Sequence, residues 1–167
     1  MTPGTAVALL PFALAIGIWV SWSDMKFMKI PNKAVIALVL VWLVPGLACV
    51  ALTGLAFQAW LWGLALGAIT LGIGFVISTL RMVGAGDAKF AAAMAPFFVG
   101  ADPRLVVALF AACLLGAFVS HRLARMIGPL RAATGDWASW TNKDFPMGLA
   151  LSGTLIFHLL LTIQGAF

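Results

Sequence analysis

Long apolar stretches dominate this 167-residue chain and restrict what it can fold into. Hydrophobic residues make up 63% of the sequence and charged residues 9%, whereas a soluble domain is about 45–50% apolar and about 25% charged. In the hydrocarbon core of a bilayer only helices and closed barrels satisfy their backbone hydrogen bonds. The chain is therefore predicted to be an all-α, polytopic membrane helix bundle that forms one domain over residues 1–167.

Six membrane-spanning helices are predicted from the apolar stretches and the turn-forming residues between them. A span needs about 20 apolar residues, and turn signals such as Pro31 and Gly100–Pro103 separate the stretches. The first stretch follows no basic residue, so we interpret it as a retained span rather than a secretory signal peptide. The predicted spans cover residues 4–22, 34–50, 59–80, 88–99, 105–120 and 146–163.

The basic residues predict how these spans are oriented. Nine of the ten Lys and Arg residues fall in the segments after spans one, three and five, and only Arg104 falls on the other side. Loops rich in Lys and Arg face the cytoplasm, so both termini are predicted to lie outside. This distribution accounts for the net charge of +5 without nucleic-acid binding. Cys49 and Cys113 form no Cys-x-x-Cys motif, and neither a metal nor a cofactor is predicted.

Two acidic residues, Asp24 and Asp87, have unusual settings. The chain has five Asp and no Glu, and these two follow span one and precede span four, at the same predicted cytoplasmic edge. A carboxylate next to hydrocarbon is costly and by default marks a functional site, although either acid alone could simply cap a helix. The other acids, Asp102, Asp136 and Asp144, are interpreted as ordinary loop residues.

Two carboxylates that share a site hold one proton between them, because both cannot ionise cheaply. That arrangement suits peptide hydrolysis. The ionised acid takes a proton from water as the water attacks the scissile carbonyl, and the protonated acid polarises that carbonyl and then protonates the leaving amine. We therefore predict that Asp24 and Asp87 meet in space and form a catalytic pair.

Five residues near these acids are candidates for supporting roles. Gly84 and Gly86 permit a close backbone approach or a positive φ. Lys89 either favours the ionised form of the neighbouring acid or extends to lipid phosphate. Asn32 either hydrogen-bonds within the site or caps the next helix, and Pro31 ends any helix that precedes it.

The two acidic motifs together resemble a known family. Asp24 followed by Ile30–Pro31–Asn32, and then Gly84–Ala85–Gly86–Asp87–Ala88–Lys89, is similar to the type IV prepilin peptidase family of GxGD-type membrane aspartic proteases. The segment Phe145–Pro146–Met147–Gly148–Leu149–Ala150 also resembles the Pro-aromatic-Gly start of that family's last helix, with Met147 in place of the aromatic residue.

This resemblance implies a function. Members of the family remove the basic leader from type IV prepilins and secretion pseudopilins at the cytoplasmic face of the bacterial inner membrane, and the two motif aspartates carry over to Asp24 and Asp87. The chain length resembles the short form found with Flp (tight-adherence) pili. Longer relatives contain a cytoplasmic segment with paired Cys-x-x-Cys motifs and also N-methylate the new terminus, so methyltransferase activity is not expected here.

Other functions are compatible with parts of the pattern. A presenilin-like protease shares the Gly-x-Gly-Asp motif, but its first acid usually follows Tyr, and this chain has no Tyr. A small transporter could use the two acids as ion or proton sites, although the two similar halves typical of transporters are not visible. A non-catalytic assembly factor of a pilus or secretion machine is the third alternative. The segment from His121 to Phe145 either covers the site or is a solvated basic loop, and the sequence does not indicate an oligomeric state.

Overall fold

The computed structural model describes residues 1–166, and every regular element in that range is helical. The prediction of an all-α membrane helix bundle is confirmed. The eight α-helices are α1 Pro3–Phe27, α2 Asn32–Leu43, α3 Pro45–Leu52, α4 Phe57–Thr79, α5 Ala85–Met94, α6 Pro103–Met126, α7 Gly128–Ala133 and α8 Met147–Ile163. Short 3₁₀ segments follow at Ala95–Phe98 and Ala138–Trp140.

Within residues 1–166, four helical stretches are long and apolar enough to cross a bilayer. They are Pro3–Phe27, Asn32–Leu52, Phe57–Thr79 and Pro103–Met126. The second comprises α2 and α3, which are separated at Val44 because Pro45 cannot continue the hydrogen-bond ladder.

The two remaining predicted spans are shorter as regular helices. The last one corresponds to α8, which has 17 residues, and the fourth to α5, which has 10 residues and continues into the 3₁₀ segment around Pro96. α5 is largely buried among its neighbours, so it does not need the length of a lipid-exposed helix. The count of six spans therefore stays a prediction.

Small residues allow the helices to pack closely. A Cβ atom on Gly63 would lie 2.4 Å from Trp42 Cζ2, and one on Gly67 would lie 3.2 Å from the Ala92 carbonyl oxygen. The Gly63-x-x-x-Gly67 motif thus brings α4 against both α2 and α5. On the opposite side of the bundle α1 packs along α8 and contributes buried residues such as Leu9 and Val20 to the core.

The bundle has two polar ends. At one end the Met1 amino group donates to the Val99 carbonyl over 3.0 Å, and Thr2 Oγ1 donates to the Thr53 carbonyl over 3.1 Å. At the other end α1 finishes beside the start of α8, where the Gly148 N–H meets Asp24. The second end therefore brings together the chain segments that contain the predicted acids.

His158 hydrogen-bonds to a neighbouring segment inside the bundle. Its Nε2 lies 3.0 Å from the Phe97 carbonyl oxygen, and its ring packs on Phe98 with the centroids 4.4 Å apart. This contact joins α8 to the segment that follows α5.

Candidate active site

A cavity of about 830 Å³ opens at the end of the bundle where α1 finishes. Its walls come from that end of α1, the α1–α2 and α4–α5 connections, the first turn of α5 and the segment leading into α8. Of the residues singled out in the sequence, Asp24, Asn32, Gly84, Gly86, Asp87 and Lys89 all line this cavity. Pro31 does not; it precedes α2 as its N-cap, with φ −67° and ψ 132°.

Asp24 lies in the last turn of α1 and is only 5% exposed. Its Oδ2 accepts a hydrogen bond from the Gly148 backbone N–H, with an N···O distance of 2.7 Å. Gly148 is the second residue of α8, and N–H groups in the first turn of a helix have no partner within that helix. The carboxylate therefore satisfies a free donor, and the positive end of the α8 dipole favours its negative charge.

Asp87 lies in the first turn of α5, three residues after the N-cap Gly84. Its carboxylate accepts a hydrogen bond from the Gly84 backbone N–H, which is the contact that the acidic residue makes in a capping box. Burial, together with the charge of Asp24, raises the pKa of Asp87 to about 6, and the bond from Gly84 opposes this rise. The two carboxyl groups thus interact electrostatically across one cavity.

The sequence matches the model of a family described as the type IV leader peptidase family, over residues 11–121. This match covers more than half of the chain and includes both acids. The chain belongs to the type IV leader peptidase family. The predicted family is confirmed, and with it a leader-peptidase type of function and a protein substrate. Searches of curated proteins and of solved structures return no match.

In this leader peptidase the two glycines of the acidic motif have different surroundings. A Cβ on Gly84 would lie 2.6 Å from Asp87 Oδ2, whereas one on Gly86 would lie at an ordinary contact distance of 3.4 Å from Ile30 Cβ. Gly84 has φ −62°, and neither glycine is among the positive-φ residues of the described chain. Close approach of the carboxylate is therefore the physical reason for glycine at position 84.

Gly84→Ala is expected to lower turnover by about 10–100-fold, because a displacement of a reacting group by about 1 Å costs about that much. The added methyl group displaces the flexible carboxylate of Asp87 rather than backbone atoms, so the thermal unfolding midpoint should change little. The rate of leader cleavage and the midpoint would be measured on the same preparation. Gly72→Ala, which meets nothing within 4 Å, is the control, and wild-type turnover by Gly84→Ala would contradict the argument.

Lys89 and Asn32 contact each other rather than either acid. The Lys89 Nζ lies 3.5 Å from Asn32 Oδ1, and within residues 1–166 Lys89 forms no ion pair. The contact joins the first turn of α2 to α5 at the edge of the cavity.

Several residues of this leader peptidase that line the cavity or contact its acids were not predicted. Gly148 supplies the donor to Asp24, and its sequence signal is the Phe145–Ala150 segment that resembles the family pattern. Asp144 was interpreted as an ordinary loop residue, yet it lines the cavity, whereas Asp136 pairs with Lys26 over 3.1 Å and Asp102 caps α6. The other unpredicted lining residues are Met28, Lys29, Ile30, Ser78, Arg81, Met82, Val83, Ala85, Asn142, Phe145 and Met147.

The segment between α6 and α8 lies beside the site. The His121 ring stacks on Trp140 with the centroids 5.1 Å apart, and the Trp140 Nε1–H donates to the Thr134 carbonyl over 2.8 Å. The Lys26–Asp136 ion pair ties the same segment to α1. Of the two interpretations left open by the sequence, a segment folded against the site agrees with these contacts.

Proposed function

We propose that this protein is a membrane aspartic endopeptidase that removes the basic leader from Flp-like type IV prepilins, with Asp24 and Asp87 as its catalytic pair. One observation carries the proposal: both carboxyl groups line the same cavity, and the charge of Asp24 helps to raise the pKa of Asp87. Membership of the type IV leader peptidase family supports it. Each acid could be explained singly as a residue that stabilises a helix end. Such a role does not explain why the two carboxyl groups interact electrostatically.

We assign a different role to each acid. Asp87, whose pKa is raised to about 6, carries the proton when the pair is singly protonated, and in that form it polarises the scissile carbonyl and protonates the leaving amine. Asp24, oriented by the Gly148 N–H, takes the proton from the attacking water. The cavity has room for an extended peptide segment beside the two carboxyl groups, and the reaction needs no nucleophilic side chain. Among residues 1–166, no group of three or more His, Cys, Asp or Glu side chains is arranged to hold a metal ion.

The proposed enzyme is a single domain that crosses the bacterial inner membrane six times, with both termini outside and the site facing the cytoplasm. The positions of the helix connections support this arrangement. The N-terminus and the α3–α4 connection lie at one end of the bundle. Nine of the ten basic residues belong to the segments at the opposite end. That end is the one that contains the cavity, as the cytoplasmic cleavage of a leader requires.

The decisive experiment is cleavage of a Flp-like prepilin that carries a basic leader by the purified protein in detergent. Mass spectrometry of the product should show loss of the leader and a new, unmethylated N-terminus. The blank is the double variant Asp24→Asn/Asp87→Asn, with its folded state verified by its thermal unfolding transition. Equal cleavage by the blank would refute the aspartic mechanism. Intact precursor after incubation with folded wild-type protein, over a panel of Flp-like prepilins, would refute the proposed substrate class.

A further inference from the structure

Arg81 adopts a backbone conformation that glycine normally occupies. It follows α4 with φ +58°, and the residues around it close the helix with two hydrogen bonds, from the Arg81 N–H to the Ser78 carbonyl and from the Met82 N–H to the Ile77 carbonyl. This pattern is the Schellman motif, in which glycine is the usual residue at the left-handed position. An arginine there costs conformational free energy that a glycine does not.

The strained residues of the chain lie together at the cavity. Within residues 1–166, Met28 and Arg81 are the two non-glycine residues with positive φ, and both line the cavity that contains Asp24 and Asp87. Residues held in sparsely populated conformations cluster at functional sites, where the surrounding structure maintains them. The strain at Arg81 therefore points to a use for its side chain in this cavity.

The guanidinium of Arg81 has no partner among the residues that the structure describes. Within the described residues it forms no side-chain hydrogen bond and no ion pair, although the cavity contains the buried carboxyl group of Asp24 and the partly exposed one of Asp87. A guanidinium presents five N–H donors in a fixed planar arrangement. Its donors are thus available to oxygen atoms of a chain that enters the cavity.

We propose that Arg81 binds the substrate beside the scissile bond, donating hydrogen bonds to carbonyl or carboxylate oxygens of the substrate chain. This inference rests on the proposed function and adds a binding residue to it. The left-handed conformation at position 81 holds the start of the α4–α5 connection, so that the guanidinium and the carboxyl group of Asp87 face the same space. Arg81 does not take part in the proton transfers.

Two substitutions at this position separate the side chain from the backbone. Arg81→Gly and Arg81→Ala both remove the guanidinium, but only glycine removes the conformational cost. We expect both variants to raise KM for the precursor about tenfold or more, as expected when hydrogen bonds to a charged group are lost, with kcat nearly unchanged. Only Arg81→Gly should raise the thermal unfolding midpoint, by about 2–4 °C.

The controls test charge and lipid separately. Arg131→Gln removes a cation from the same end of the bundle, but Arg131 does not line the cavity, so wild-type KM is expected. Assays in neutral detergent, with and without anionic lipid, test whether Arg81 acts through lipid phosphate. A precursor whose acidic side chains near the cleavage site are replaced by amides identifies the acceptor: a persisting KM effect indicates backbone carbonyls, and its loss indicates a carboxylate.

Two results would overturn the inference. They are a wild-type KM for Arg81→Gly, whether or not Arg81→Ala raises KM, and a KM effect that appears only with anionic lipid. In each case the wild-type protein still cleaves the precursor, so the proposed function would stand. Absence of cleavage by the wild-type protein would instead count against the proposed function itself.

Discussion

Asp87→Asn is expected to lower the rate of prepilin cleavage by about 10²–10⁴-fold, the range for loss of a general acid. Asparagine has nearly the same shape as aspartate and can accept the same hydrogen bond from the Gly84 N–H. It cannot transfer a proton to the leaving amine. The rate loss should therefore occur without loss of folded protein, and initial rates at equal concentrations of folded enzyme would measure it.

The same substitution is expected to stabilise the protein at neutral pH. The pKa of Asp87 is about 6 in the folded protein against 3.8 for the free group, so the folded state binds this proton more tightly than the unfolded state. Ionisation of Asp87 thus destabilises the fold as pH rises from about 4 to 6. Because the group is partly exposed, we expect the penalty to be roughly 1–2 kcal/mol after allowance for solvent screening.

The unfolding midpoints of the wild-type protein and Asp87→Asn should therefore diverge with pH. Above pH 6 the variant should unfold at the higher temperature; the difference should shrink as the pH falls towards 4 and vanish below that pH, where the wild-type carboxyl group becomes protonated in both states. Asp102→Asn is the matched control: it removes an acid at the opposite end of the bundle, where asparagine still caps α6. A variant that retains turnover, or that is less stable than wild type at pH 7, would contradict the roles given to Asp87.

The sequence was sufficient to predict Asp24 and Asp87 at the same end of the bundle, where both line one cavity. Their positions relative to the apolar stretches place them at the same membrane edge, and the positive-inside rule needs only the distribution of Lys and Arg. The existence of the helices was equally predictable, since composition and the length of the apolar runs decide it. Composition and charge distribution do not determine how the helices are rotated or shifted along their axes relative to one another.

The contacts that complete the site depend on that missing information. Gly148 lies 124 residues from Asp24 in sequence, and only the packing of α1 along α8 brings its N–H to the carboxylate. The family match ends at residue 121, so it does not include this donor. The partner of Lys89 could not be predicted for the same reason. Its spacing from Asp87 was compatible with a contact to that acid or to lipid phosphate, whereas helix packing places it beside Asn32.

A different reason explains why Arg81 could not be identified from the sequence. An arginine after a membrane helix is expected from the positive-inside rule alone, and nothing in the residue pattern distinguishes it from the other basic residues of that side. Its left-handed backbone conformation becomes visible only in the structure. The sequence therefore predicts the two proposed catalytic acids better than the proposed substrate-binding residue.

Gly148→Ala is expected to lower turnover by at least about 10²-fold and also to lower the thermal unfolding midpoint. A Cβ at this position would lie 2.9 Å from Asp24 Cβ and 3.1 Å from Val20 Cγ1. Asp24 Cβ is attached directly to the α1 backbone, so it cannot move aside as the end of a flexible side chain would. The start of α8 must then shift away from α1.

That shift lengthens the 2.7 Å hydrogen bond from the Gly148 N–H to Asp24 Oδ2, and the carboxylate loses the contact that orients it. Overpacking of this kind typically costs about 1–3 kcal/mol, so cleavage rates must be compared well below the unfolding midpoints of both proteins. Gly153→Ala on the same helix is the matched control, because its Cβ would meet Cys113 Sγ at an ordinary distance of 3.7 Å. Wild-type turnover is expected for that control. If Gly148→Ala also cleaved at the wild-type rate, the start of α8 would be free to move, and the orientation of Asp24 would have to come from other contacts.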